Sequence, residues 1–147
     1  MVKKLDLRSG EAKNRMKQSQ IMVEIAPGEL LDKISILEIK RERIKDPAKL
    51  ANVAAELALL ARVQSANIAA SSTLDALCAR LKKVNEILWE TEDDIREEER
   101  EQRFGARFIA LARMVYHTND ERAAIKREIN VLLGSAIIEE KSYTNYA

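Results

Sequence analysis

Between Gly28 and Gly134 the chain offers three places where a helix has to stop: Asp46-Pro47, the small-residue group Ser65–Ser72, and Gly105. Proline disfavours a helical residue before it and suits a first helical turn, and glycine readily takes the left-handed geometry that ends a helix. Four Gly and two Pro in 147 residues leave little else to turn on. A chain 46% hydrophobic but only 4% aromatic favours long helices over a sheet.

The apolar rhythm fills in the segments. Leu30, Ile34, Leu37, Arg41 and Ile44 recur at bundle-seam spacing and predict helix 1 from about Gly28 to Lys45. Ile36 and Ile39 add a second apolar edge, so this helix is expected to be contacted on more than one side. Helix 2 is predicted from Pro47 to about Ala70 through Val53, Leu57 and Leu60. Helix 3 runs from Ser72 to about Arg103, with Ser72 and Asp75 resembling a capping box. Helix 4 starts near Ala106, and Gly134 is placed to end it. The expected fold is all-α: a four-helix antiparallel up-down bundle with coiled-coil-like seams and a long helix 3–helix 4 hairpin. The tail Ser135–Ala147 alternates weakly and can lie against the bundle or pair with "MVEIA".

Charge divides the chain. Residues 1–21 hold six Lys/Arg against two Asp/Glu, a net +4, which leaves −3 for residues 22–147 of a chain whose formal charge is +1. The expected domains are therefore a flexible basic extension over 1–21 and a single helical domain over 22–147. A slightly acidic folded part argues against a nucleic-acid surface. Nowhere do about 18 apolar residues run together, so no membrane span is expected. Neither does the first twenty residues' composition suit a signal peptide. With Cys78 alone no internal disulfide can form, and a cytoplasmic setting is the expectation.

Helix 4 carries an anomaly. Its inward stripe runs through Asn119, Arg122 and Lys126 where apolar residues belong. Matching antiparallel helices about their turns puts Glu38, Arg41, Asn52, Asn85, Trp89 and Glu92 in one band with them, with Glu38 level with Arg122. Two readings compete. In one, the carboxylates neutralise the cations and the network sets register. In the other, Glu38, Arg41, Asn85, Trp89, Asn119, Arg122 and Lys126 form a site whose surplus cations bind an anionic small molecule, with Trp89 as a stacking face.

The run "ETEDDIREEERE" offers a different chemistry. Glu90, Asp93, Asp94 and Glu97 recur at helical spacing and could hold magnesium. Glu90 and Asp93 resemble the E-x-x-D pair of the all-α nucleoside triphosphate pyrophosphohydrolases, but no E-E-x-x-E element precedes it. Without magnesium no cofactor is expected: one histidine, one cysteine and no Gly-rich phosphate loop exclude the common metal, nucleophile and nucleotide motifs.

Longer strings carry a family likeness. "MVEIAPGELLDKISILEIKRERI", "VNEILWETEDDIREEE", "YHTNDERAAIKREIN" and "GSAIIEEKSY" resemble a bacterial family of small proteins and domains whose function is uncharacterised. The resemblance implies a domain beginning near Met22 and a setting beside glycosyltransferase or polysaccharide-related regions. It brings no catalytic residues. The expectation is thus a binding or interaction module, accessory to sugar or polysaccharide metabolism. The alternatives are a magnesium-dependent hydrolase of a nucleotide or sugar phosphate, and an oligomeric scaffold. A homo-oligomer is expected because Ile95, Phe104, Phe108 and Leu111 extend toward a hairpin end short of cover.

Overall fold

The computed structural model describes residues 20–146. They form four helices: α1 (Pro27–Arg43), α2 (Pro47–Asn67), α3 (Ser72–Arg100) and α4 (Ala106–Leu132). The basic extension expected over 1–21 lies, but for its last two residues, outside the described residues.

Local chemistry sets most boundaries. The Asp46 carboxylate caps α2 by accepting from the Ala48 and Lys49 amides at 2.9 and 3.2 Å, with Pro47 in the first turn. The cap of α3 is Ser71, not Ser72: its hydroxyl accepts from the Leu74 amide at 3.1 Å, so Asp75 closes no capping box. Gly134, at φ +65°, ends α4 as expected. The Ser135 amide reaches the Asn130 carbonyl and the Gly134 amide that of Val131, the double bond of a Schellman turn. Helix α3 stops three residues earlier than the rhythm predicted, because Gln102 takes the same left-handed role at φ 54° with matching bonds from Arg103 to Glu98 and Gln102 to Glu99.

The long hairpin is antiparallel. Arg80 pairs with Glu128, Thr91 donates to Met114 and Asp94 meets Arg107, so positions fall along α4 as they rise along α3. Helix α1 is the hub and packs on all three others, whereas α2 approaches α1 alone. The four helices and the long α3–α4 hairpin are those the sequence led us to expect, and within them the neighbours are unequally shared. The first apolar edge of α1 joins all four helices: Leu30, Ile34 and Leu37 enter one core with Val53 and Leu57 of α2, Leu81 of α3 and Ile125 and Ile129 of α4, while Ile39 of the second edge is buried outside that cluster. Asn52, expected inside the polar band, is exposed on α2.

At the hairpin end Glu98 is 3% exposed and accepts from Arg103 at 3.0 and 3.1 Å. Phe104 and Phe108 meet edge to face with centroids 5.3 Å apart. Of the residues expected to seek cover, Leu111 is buried, Ile95 and Phe108 are half-buried and Phe104 is exposed. Among the described residues, the tail after Gly134 forms no strand, and Glu139 and Glu140 tie it to α4.

Two outcomes test these ends. Gln102→Gly should stabilise by about 0.5–1 kcal/mol, read as a raised urea midpoint, since a side chain at positive φ costs about 1–2 kcal/mol and part is returned as chain entropy. The Arg103 hydrogen bonds, helped by Arg107, hold the Glu98 carboxyl below the usual carboxylate range. Its contribution is then complete above about pH 4.3 and lost as pH falls through the lower folded value. Glu98→Gln should flatten the fall of Tm on acidification below about pH 4.5, where wild type loses stability more steeply.

Candidate functional site

The polar stripe of α4 faces α1. Asp32 of α1 is 1% exposed, and its carboxylate accepts both Nε (2.9 Å) and Nη2 of Arg122 and Nδ2 of Asn85 (2.9 Å). Ser35 completes the group, accepting from Asn85 at 2.8 Å and donating to the Asp32 carbonyl at 2.8 Å. A turn away, Lys126 Nζ lies 2.6 Å from Glu29 and 3.1 Å from Glu139 of the tail. At the end of the row the Gly28 amide donates to Asn130 Oδ1 at 2.7 Å. A Cβ on Gly28 would stand 2.6 Å from the Lys126 carbonyl oxygen, so glycine serves close helix approach here as well as helix opening.

Buried charges persist only where they are matched. The Asp32 hydrogen bonds hold the Arg122 guanidinium above its usual pKa against its burial. Burial presses Lys126 down, but its bonds to Glu29 and Glu139 outweigh that and leave the ammonium raised overall. No described buried side-chain N or O is left without a hydrogen-bond partner.

The expected register between α1 and α4 requires correction. Asp32, not Glu38, is level with Arg122. That estimate passed through three turns in series, and nothing in the intervening helices corrected its drift. Glu38 instead lies 3.9 Å from Lys82 of α3, and Arg41 is exposed in the last turn of α1. Asn85, Trp89, Asn119 and Arg122 do come together, around a cleft of about 500 Å³ between α1, α3 and α4. Ile36 and Ile39 floor it from α1, while Glu92, Asp93 and Arg96 continue its rim along α3. Arg96 is paired with Glu92 at 2.7 Å. Of the cations in the sequence pattern, Arg122 is matched by Asp32 and Lys126 by Glu29 and Glu139.

Asp32 and Ser35 escaped the sequence reading although their signal was present. Gly28, Asp32, Ser35 and Ile39 recur at four, three and four residues, and all four are buried. A second cleft, of about 680 Å³, lies between α4 and the tail, and Asn119 lines both.

The acidic run is dispersed by arginines. Glu90 pairs with Arg43, Asp94 with Arg107 and Glu97 with Arg100, while Asp93 lines the first cleft. Among the described residues no three His, Cys, Asp or Glu side chains gather as a metal-ligand set. Cys78 is half-buried, and burial, with Asp75 nearby, pushes its thiol up and away from reactivity. No described helix is long and apolar enough to cross a membrane.

Removing Asp32 tests the central contact. Asp32→Ala should cost about 3–5 kcal/mol in urea unfolding, because Arg122 keeps its charge without its partner. Asp32→Leu combined with Arg122→Met should recover most of that loss. A double variant as unstable as the single one would show that the pair contributes more than matched burial.

Residues 21–146 match the model of the Family of unknown function (DUF6165), and the chain belongs to that family. No curated protein and no solved structure matches it.

Proposed function

We propose that this member of the family is a non-enzymatic binding module that takes a small polar ligand in the cleft beside Trp89. The observation that carries the reading is the grouping of one indole with Asn85, Asn119 and Arg122 around about 500 Å³, the size of a small-molecule site. An indole supplies a flat apolar face, and amides and a guanidinium supply directional hydrogen bonds at its edge. Their positions are supported from behind, since Asp32 fixes both Arg122 and Asn85.

The charge balance supports a ligand class. Arg122 is matched by Asp32 and Arg96 by Glu92, which leaves Asp93 as the unmatched charge among the described residues of the rim. The anionic ligand suggested by the sequence would have to compete with these carboxylates. An uncharged hydroxylated ring, such as a sugar, would lay one face on Trp89 and offer hydroxyls to the amides. Such a ligand would put the protein beside sugar or polysaccharide metabolism. A second reading, an oligomeric scaffold, draws on exposed Phe104, Ile109 and Met114 along the hairpin end.

Trp89 is the chain's one tryptophan, so its fluorescence reports on the cleft directly. Titration with neutral hexoses and N-acetylhexosamines should give a saturable change in emission. It should also raise Tm, by the equivalent of about 2.7 kcal/mol at a hundred times Kd. Asn119→Ala should weaken binding about ten-fold, as loss of one buried hydrogen bond. Stronger binding of sugar phosphates would return the reading to an anionic ligand. A flat response to both sets would leave the scaffold.

A further inference from the structure

The second cleft is built by the tail. After Gly134 the chain turns back along α4 and is pinned three times: Glu139 to Lys126 at 3.1 Å, Glu140 to Arg127 at 3.2 Å, and the Tyr146 hydroxyl to Asp120. These contacts set Tyr143 and Tyr146, three residues apart in non-helical chain, beside Tyr116 of α4. The rings of Tyr116 and Tyr146 meet at 67° with centroids 5.2 Å apart, forming a corner, and His117 backs it at 4.8 Å from Tyr146. Tyr143 stands 77% exposed on the same cleft, and Asp120 contributes a carboxylate to its wall. Val115 supplies apolar surface and Lys141 an ammonium.

Aromatic faces at an angle, a carboxylate and a little apolar surface make a site for a large, weakly hydrated cation. Ring quadrupoles attract the charge, while methyl groups gain contact without losing strong hydration. A metal ion is poorly served, because Asp120 is the one carboxylate among the described residues that line the cleft. Lys141 would repel a bare cation but would favour a ligand carrying an anion beside its cationic head. We propose that this cleft binds a compact zwitterion, with a quaternary ammonium group against Tyr116, Tyr143, Tyr146 and Asp120 and a phosphate or carboxylate on Lys141. The site is separate from the Trp89 cleft in its residues except for the shared Asn119, and it does not rest on the sugar reading.

The test is calorimetric titration of the full chain with phosphocholine, choline and 3,3-dimethylbutyl phosphate, the last replacing the cationic nitrogen by carbon. Phosphocholine should bind at least about ten-fold more tightly than the carbon isostere, the scale of a desolvated cation–aromatic contact. Tyr143→Ala changes an exposed ring, so it should leave Tm unchanged and weaken phosphocholine about ten-fold. Lys141→Gln should erase the preference for phosphocholine over choline. Equal binding of the isostere, an unaffected Tyr143→Ala, or no saturation by about 10 mM phosphocholine would each overturn the assignment. Phosphatidylcholine vesicles separate the sources of the same head group. Co-sedimentation that phosphocholine competes away assigns a lipid, and phosphocholine binding without co-sedimentation assigns a free solute.

Discussion

A buried carboxylate must be matched, and Asp32 is the point from which this fold can be reasoned outward. At 1% exposure it would be untenable alone, yet Arg122 and Asn85 meet it from two different helices. The three-way contact ties α1 to both arms of the long hairpin at one height. A shift of α1 by one turn would strand the carboxylate against apolar surface, at a cost of several kcal/mol. Apolar seams alone tolerate such slips far better, because one leucine can replace another in a groove. The pair thus contributes register more than net stability.

The rest of the α1–α4 contact follows from that height. Once Arg122 is fixed on Asp32, Lys126 falls beside Glu29 and Asn130 beside the Gly28 amide. The helices come so close at this end that Gly28 leaves no room for a side chain. Helix α1 then sits in the hairpin groove and offers its other edge to α2, whose backbone comes close to α1 and to neither of the remaining helices. Packing on one side leaves Leu59 and Val63 of α2 exposed.

Helix boundaries were legible because they depend on neighbours in sequence. Pro47, Asp46 and Gly134 act within a few residues of themselves, and a reader needs no tertiary information to use them. Gln102 was not legible, since a glutamine in the left-handed region carries no compositional mark. The polar stripe on α4 was also readable as an exception to its own rhythm. Its partner was not, because Asp32 lies on a second stripe, Gly28-Asp32-Ser35-Ile39, whose small and polar members hide a buried seam. Asn85, Trp89, Asn119 and Arg122 lie on the adjoining arms of one hairpin and could be grouped by height, whereas the height of α1 against α4 depends on three turns in series, which put Glu38 where Asp32 stands. The tyrosines of the tail were unreadable as a group, because a non-helical segment has no period to say which way it faces.

Both clefts depend on a mismatch of lengths. Helix α1 has 17 residues and α3 and α4 have 29 and 27, so at about 1.5 Å per residue the hairpin outruns its third helix by more than 10 Å. Where α1 covers the hairpin, side chains interlock and charges pair. Beside that region α3 continues through Glu92, Asp93 and Arg96 without an equal partner opposite, and a concave surface remains at Trp89. The tail meets the same shortage on the other flank of Asn119, where it builds a wall from tyrosines instead of filling the space. The matched charges and the open clefts are therefore linked: the Asp32–Arg122 contact fixes α1 at one height on the longer hairpin, and that height determines which polar and aromatic side chains remain at the edge of the cover.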